Sequence, residues 1–106
     1  MPIRSCRDKR TALFVSGGRV REFEEISRAA QKALTRLSEA QHLSDLYQPP
    51  SNRFEALKGD RAGEYSIRIN DKWRLCFRWR CDPGQKAEDP LKQAGEPYDV
   101  EITDYH

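Results

Sequence analysis

Residues 53–79, RFEALKGDRAGEYSIRINDKWRLCFRW, decide the fold of this 106-residue chain. Apolar and polar residues alternate on both sides of the loop 70–72, a pattern typical of two antiparallel strands in a hairpin. A three-residue loop places apolar residues opposite each other, whereas a two-residue loop would set Ile67 against Arg74. The stretch therefore predicts a hairpin with one buried face, in which the facing pairs are Ile69 with Trp73, Ile67 with Leu75, and Tyr65 with Phe77.

The opposite face of this hairpin is basic. It displays four arginines interrupted by two small side chains: Arg68, Arg74, Arg78 and Arg80, with Ser66 and Cys76 between them. Side chains of like charge on neighbouring strands repel one another unless an anion or solvent separates them. The predicted face therefore indicates either a bound anion or a broadly solvated surface.

The net charge of +2 hides an uneven distribution along the chain. Residues 1–80 contain 17 Lys and Arg against 10 Asp and Glu, a net charge of +7, and residues 81–106 contain 2 against 7, a net charge of −5. Phosphate contacts supply most of the sequence-independent affinity of proteins for nucleic acid, so the basic body favours such a partner. A solvated charged surface explains the charge equally well by itself.

Two helical segments are predicted before the hairpin. Asp8 is a good N-cap for a brief helix through Phe14, which Gly17-Gly18 would end. The apolar spacing then predicts one long amphipathic helix, and a second apolar set extends it or forms a further helix that ends at Pro49-Pro50. The first set is Phe23, Ile26, Ala30, Leu34 and Leu37, and the second is Ala40, Leu43, Leu46 and Tyr47.

Short strands are predicted near both ends of the chain, at residues 3–7 and at residues 100–103, because apolar and polar residues alternate there. Residues 81–97 contain three prolines and two glycines, which indicates a long mobile connection inside a single domain of residues 1–106. This acidic loop either screens the basic face or is a neutral surface insertion.

Length and composition narrow the class of protein. A chain of 106 residues suits one domain with a single core. No segment has the roughly 18 apolar residues of a membrane helix and no signal peptide is visible, so we expect a cytoplasmic protein without a membrane partner. Cys6, Cys76 and Cys81 are widely spaced and lack a CxxC motif, so we expect reduced thiols and neither a disulfide framework nor a zinc site.

The sequence has no Gly-rich phosphate loop, HExxH or GxSxG motif, and we expect no cofactor or metal. RNA cleavage needs only a base for the attacking 2′-hydroxyl, an acid for the leaving 5′-oxygen and cations for the phosphorane. Asp104, Tyr105 and His106 offer such proton-transfer groups, because histidine titrates near neutral pH and a nearby carboxylate favours its protonated form.

Basic residues around the hairpin complete the candidate site. Arg74 suits two parallel hydrogen bonds to a phosphate, and Lys58 and Arg61 flank a predicted turn. Ordinary explanations exist for each: an ion pair of Arg74 with Glu101, solvated turn charges, and a frayed terminus. The candidates are Glu55, Arg74, Asp104, Tyr105 and His106 for catalysis, and Arg53, Lys58, Arg61, Arg68 and Arg78 for RNA or phosphate binding.

The run LKGDRAGEYSIRINDKWRLCFRW, residues 57–79, and the closing VEITDYH, residues 100–106, strongly resemble the HigB family of bacterial toxins in the RelE superfamily. The opening IRSCRD fits the same pattern, so the resemblance covers nearly the whole chain except residues 81–97. It is greatest to the GraT-like subset. The resemblance implies a small α+β RelE-like fold, with helices packed on one side of a curved antiparallel β-sheet.

The resemblance also implies a function. Family members are toxins of type II toxin–antitoxin modules that cleave mRNA on the ribosome without a cofactor. A helix-turn-helix antitoxin, HigA, neutralises them and represses the operon, so operator DNA is reached only through the antitoxin. The functional residues carried on the matching motifs correspond here to Lys58, Arg74, Asp104, Tyr105 and His106.

The sequence departs from the family at Glu55, where well-studied members carry histidine. Glutamate can act as a base but cannot bring a cation to the phosphorane, so we expect weak toxicity, as in the GraT-like subset. The alternative is a non-catalytic or weakly catalytic toxin that binds ribosome or RNA and inhibits translation or ribosome assembly. A generic basic RNA-binding module ranks last, because the chain lacks an RRM, KH or OB signature.

Overall fold

The computed structural model describes residues 3–81 and 94–104, which form an α+β fold with a four-stranded antiparallel sheet. The strands follow one another in sequence order, and the helices pack on one side of the sheet. The strands are β1 (Glu55–Ala56), β2 (Tyr65–Arg68), β3 (Arg74–Cys81) and β4 (Gly95–Thr103), and the α-helices are α1 (Lys9–Val15) and α2 (Ser27–Glu39). Short 3₁₀ helices span Arg21–Phe23, Leu43–Tyr47, Pro50–Asn52 and Gly59–Arg61.

The predicted register of the β2–β3 hairpin is confirmed. Ile67 faces Leu75, Tyr65 faces Phe77, and the backbone N–H of Ile69 donates to the carbonyl of Trp73 at 3.0 Å. The loop is closed by the side chain of Asn70, whose Oδ1 accepts the backbone N–H groups of Lys72 and Trp73 at 2.9 and 2.7 Å. Local turn chemistry thus fixes which face of the hairpin is buried.

The core lies between this face of the sheet and the helices. Phe23 and Phe77 are its largest fully buried side chains. The sheet contributes Ile67, Leu75, Phe77, Val100 and Ile102, and the helical side contributes Phe23, Ala30, Ala33, Leu34 and Leu37. The face that the helices do not cover is called the outer face below. On that face, Ser66 and Cys76 are also fully buried, and charged side chains described below lie around Cys76.

The helical predictions are confirmed in part. Asp8 caps α1, since its carboxylate accepts the backbone N–H of Thr11 at 3.2 Å. The long helix begins only at Ser27, because the residues around Phe23 form a 3₁₀ turn instead. The second apolar set forms a separate 3₁₀ helix, whose start is fixed by the carboxylate of Asp45 accepting the N–H groups of Gln41 and His42.

The predicted N-terminal strand is wrong as a regular strand. Residues 3–7 run beside β4 but form a single parallel bridge, between Cys6 and Val100. The reason is a bulge in β4: Cys76 pairs with Glu101 and Arg78 pairs with Tyr98, which leaves an extra residue in β4. Asp99 within it adopts a positive φ of 50°. Such a bulge interrupts regular pairing on both sides of a strand.

The strands extend into both ends of the connection predicted at residues 81–97. Cys81 ends β3 and pairs with Gly95 at the start of β4. The rest of that prediction, residues 82–93, lies outside the described residues.

Candidate active site at the hairpin tip

Two of the predicted arginines are direct neighbours on the outer face. Arg68 at the end of β2 is the register partner of Arg74 at the start of β3, and Arg74 is in turn the partner of Thr103 on β4. Directly opposed side chains on antiparallel strands have Cβ atoms about 5 Å apart, so these guanidinium groups start from adjacent positions. Like charges so placed destabilise the sheet unless an anion lies between them.

One exposed carboxylate supplies part of that negative charge. Asp71 in the hairpin loop accepts a hydrogen bond from Nη2 of Arg68. This hydrogen bond and the charge of Arg68 lower the pKa of Asp71, and the charges of Arg53 and Arg74 lower it further. Arg68 therefore pairs with this exposed carboxylate directly, while Arg53 and Arg74 act on it only through their charges. We call Arg53, Arg68, Asp71 and Arg74 the tip cluster; its formal charge is +2.

Backbone geometry positions the other two arginines of the tip cluster. Arg53 follows the 3₁₀ helix Pro50–Asn52 in the left-handed conformation, with φ of 46°, which turns the chain into β1. Nη1 of Arg74 donates to the backbone carbonyl of Trp73 at 3.1 Å and to that of Asn70. The guanidinium of Arg74 is thus held against the loop that carries Asp71.

The end of β4 brings Asp104 to the same loop. Its Oδ2 lies 3.7 Å from Nζ of Lys72, the residue after Asp71. Asp104 follows Thr103 directly, and Thr103 pairs with Arg74, so the backbone of Asp104 lies at the same end of the sheet as the tip cluster. Tyr105 and His106, the two further residues that the sequence predicts here, lie outside the described residues.

Glu55 lies on the opposite flank of the arginine pair. It is on β1 and pairs with Ser66 on β2, one row of residues away from Arg68. Neighbouring strands lie about 4.8 Å apart, so Glu55 and Asp104 are separated by three strand spacings, roughly 14 Å across the sheet, and by three residues, roughly 10 Å, along it. Arg68 and Arg74 are on the two strands between them. Lys58 is exposed in the turn that follows β1.

Arg61 belongs to a different group, which lies around Cys76, two residues after Arg74 on β3. Nη1 of Arg61 lies 3.3 Å from both Glu64 and Glu101, while Arg7 lies 3.0 Å from Glu64 and 3.3 Å from Glu101. We call these four residues the carboxylate network. Glu64 is only 3% exposed, so its charge is held by the two arginines. Two cations and two anions leave this network without formal charge.

The carboxylate network covers the thiol of Cys76. Burial raises the pKa of Cys76 to about 12, and the charges of Glu64 and Glu101 also raise it against those of Arg61 and Arg7. The ion pair of Arg74 with Glu101 that the sequence suggests does not form. Glu101 pairs in register with Cys76, not with Arg74, and contacts Arg7 and Arg61 instead.

Arg78 lies beyond the network, towards the far end of β3. Its Nε is 4.0 Å from Oδ2 of Asp99, the residue of the β4 bulge. The structure thus brings Arg53, Arg68, Arg74 and Asp104 together and leaves Arg61 and Arg78 with carboxylates elsewhere on the outer face.

Sequence reasoning missed Asp71 and Glu64 as parts of this surface. For Asp71, a signal was available, because a carboxylate three residues after Arg68 and inside the loop must lie near the end of both strands. For Glu64, the local spacing indicates only Arg61, three residues earlier, whereas its other partner, Arg7, is distant in sequence and meets it only in the folded sheet.

Within the described ranges 3–81 and 94–104, no group of three or more His, Cys, Asp or Glu side chains is arranged to hold a metal ion. In the same part of the chain, none of the helices has the length and apolar character needed to cross a membrane.

Comparison with known proteins assigns the family. Residues 7–88 match the family described as the RelE-like toxin of type II toxin–antitoxin system HigB. The chain belongs to the HigB family. Toxin HigB-1 of Vibrio cholerae serotype O1 is 48% identical over 54 residues, which cover 51% of this chain and 57% of that toxin. The match therefore spans little more than half of that HigB relative, while the HigB family match includes β1, β2 and β3 with the tip cluster.

Proposed function

We propose that this HigB-family toxin is a ribosome-dependent mRNA endoribonuclease whose reacting phosphate binds at the tip cluster. The observation that carries the proposal is the adjacent pair Arg68 and Arg74, which together with Arg53 shares one exposed carboxylate. A phosphodiester placed between these guanidinium groups completes the charge balance of the site. Arginine forks also match the developing charge of a phosphorane, whose stabilisation is the main requirement of the reaction.

The proposed reaction uses the RNA 2′-hydroxyl as nucleophile. A base removes its proton, the 2′-oxygen bonds to phosphorus, the bond to the 5′-oxygen breaks, and an acid protonates that leaving oxygen. The products are a 2′,3′-cyclic phosphate and a 5′-hydroxyl. Glu55 on the β1 side and Asp104 on the β4 side of the arginine pair are proposed to provide the two proton-transfer groups. His106 and Tyr105 are proposed to act on the Asp104 side, which leaves the division between acid and base open.

Binding of the RNA backbone is proposed to depend on Arg53, Arg68 and Lys58. Among these three, Arg68 forms an ion pair, with the solvent-exposed Asp71. Arg53 and Lys58 form no ion pair with a carboxylate inside the described residues. Arg61 and Arg78 are expected to contribute less, because Glu64, Glu101 and Asp99 already offset their charges. The proposed partners are the ribosome and mRNA, and a helix-turn-helix antitoxin of the HigA type that carries the contact with operator DNA; membership of a type II toxin–antitoxin family supports the antitoxin.

The test is controlled expression of the toxin followed by mapping of the 5′ ends of cellular transcripts. Arg74→Ala is expected to lower the cleavage rate by about 100-fold or more, the usual cost of removing a group that stabilises the transition state. Deletion of His106 is expected to have a similar effect. Arg28→Ala, an equal change of charge on the exposed side of α2, serves as the matched control and should cleave like the wild type.

The wild type and these three variants are then compared in a reaction with purified ribosomes and a defined message. Cleavage that requires ribosomes and disappears in Arg74→Ala supports the proposal, and cleavage that survives both changes contradicts the assignment of the site. Growth arrest without new 5′ ends, in the wild type, identifies the alternative function. Glu55 in place of the family's histidine is the feature that favours this second candidate, a toxin that binds ribosome or RNA and does not cut.

A further inference from the structure

A cleft opens at the end of the outer face that is away from the tip cluster. It has a volume of about 450 Å³ and is lined by Arg4, Ser5, Arg80 and Tyr98. Arg80 lies six residues after Arg74 on β3, so at about 3.3 Å per residue the two arginines are roughly 20 Å apart along the strand. The side chains of Arg74 and Arg80 point to the same face, because residues an even number of positions apart share a side of a strand.

One cation of this cleft is already paired and another is available. Nη1 of Arg4 lies 2.6 Å from Oε1 of Glu96. Arg80 is the register partner of Glu96 and is exposed, and within residues 3–81 and 94–104 its guanidinium forms no ion pair with a carboxylate. A cation exposed in a cleft is suited to a phosphate group.

An aromatic ring completes the wall of the cleft. Tyr98 is half-buried and faces Arg78 across the β3–β4 ladder, at the edge of the bulge that Asp99 creates. The neighbouring hydroxyl of Ser5 accepts the backbone N–H of Asp99 at 3.0 Å, which ties this end of β4 to residues 3–7. The ring of Tyr98 is therefore carried on a braced stretch of backbone. An aromatic ring beside an arginine is the combination that proteins use to bind unpaired nucleotides.

We propose that this cleft is a second RNA subsite, which takes one unpaired nucleotide of the strand that is bound at the tip cluster. Tyr98 stacks on its base and Arg80 binds its phosphate. The inference rests on the proposed function, since it assigns both contacts to one message strand. A stacked strand advances about 3.4 Å per nucleotide, so a gap of roughly 20 Å corresponds to about six nucleotides, and fewer when the strand is extended.

The experiment compares two fluorescent RNA oligonucleotides. One of about 3 nucleotides is too short to reach from the tip cluster to the cleft, and one of about 12 nucleotides is long enough. Both carry 2′-O-methyl groups, so that neither can be cleaved, and binding is measured by anisotropy. For the longer RNA, two variants are each expected to weaken binding about five- to tenfold: Tyr98→Leu, which loses the stacked base, and Arg80→Ala, which loses the phosphate contact. Tyr98→Phe keeps the ring and should bind like the wild type. Arg74→Ala should weaken binding of both RNAs.

Arg28→Ala is the matched control for loss of one positive charge, and the melting temperature of each variant checks that the fold is intact. Equal losses for the two RNAs, or no loss for the longer one, overturn the proposal. A weaker affinity of Arg80→Ala for ribosomal subunits without message, with the longer RNA unaffected, overturns it in favour of ribosomal RNA. Because the assay needs no cleavage, a lost subsite and a lost nuclease activity are observed separately.

Discussion

Two groups of arginines on the same face of the sheet differ in how their charge is balanced. In the tip cluster, the carboxylate of Asp71 is exposed and contacts Arg68, and the charges of Arg53 and Arg74 also act on it. In the carboxylate network, two residues further along β3, two arginines are matched by two glutamates, one of them almost fully buried. The first group has positive charge left over and the second has none.

The number of arginines on a surface therefore does not measure the affinity of that surface for RNA. What counts is the positive charge that the folded protein leaves unmatched and accessible, because only that charge releases counterions when phosphate binds. The carboxylate network is instead a structural element that joins the N-terminal segment, the turn at Gly59–Arg61 and β4. The difference predicts opposite results for substitutions in the two groups.

The largest effect is expected for Glu64→Ala, which leaves Arg7 and Arg61 with one carboxylate in place of two. Breaking a buried ion pair costs about 3 kcal/mol, so the free energy of unfolding should fall by about that amount. The melting temperature should fall by more than about 10 °C for a domain of this size. Calorimetry or thermal circular dichroism measures this.

The matched control for that change is Glu24→Ala, which removes an exposed carboxylate 2.6 Å from Arg19. An exposed pair contributes about 1 kcal/mol or less, so its melting temperature should change little. A Glu64→Ala protein as stable as Glu24→Ala would show that the carboxylate network is not structural.

Alkaline pH should lower the free energy of unfolding through the Cys76 thiol, which the carboxylate network covers. Because burial raises the pKa of this thiol from 9.0 in the unfolded chain to about 12, the folded protein keeps the proton longer. The stabilisation is complete below pH 9 and is lost as the pH rises from 9 towards 12. By pH 10 the free energy of unfolding should fall by roughly 1 kcal/mol from this group.

Urea unfolding of the wild type and of Cys76→Ala, at pH 7 and pH 10, isolates that contribution. The wild type should lose more stability between the two pH values than the variant does. Equal losses would mean that the Cys76 thiol does not titrate differently in the folded and unfolded states.

In the tip cluster, Arg68→Ala should weaken RNA binding about tenfold without destabilising the fold, since it removes a phosphate contact and relieves the repulsion from Arg74. The slope of log affinity against log salt concentration should shrink by about 0.7, the value for one phosphate contact to a single strand. Arg61→Ala is the comparison within the other group, and should lower stability while leaving the salt slope unchanged. The opposite pattern would reverse the roles of the two groups.

The smallest effect is expected for Asp71→Asn. Removal of the one carboxylate among three arginines raises the unmatched charge of the tip cluster, so RNA should bind about two- to threefold more tightly at low salt. The gain should vanish at high salt. Asp60→Asn, in the exposed turn Gly59–Arg61, is a matched change outside the cluster. A tighter complex in both variants would point to net charge alone.

Several features could be predicted from local sequence because local physics produces them. The alternation around residues 70–72 and the length of that loop fixed the hairpin register, and with it the adjacency of Arg68 and Arg74. The cap at Asp8 follows from the preference of a carboxylate for the free N–H groups of a helix. The start of α2 and the separate 3₁₀ helix were less accessible, since apolar spacing does not distinguish one long helix from short turns that pack on the same core.

By itself, then, the sequence determined an α+β HigB-like fold, a hairpin with one apolar and one arginine-bearing face, and the candidates for a phosphate site. Only the tertiary structure decided which arginines keep their charge. Arg7 and Arg61 meet Glu64 and Glu101 only because β4 pairs with β3. The bulge at Asp99 then places a carboxylate beside Arg78. Such contacts join residues up to 94 positions apart, where neither periodicity nor turn chemistry carries information about the partner.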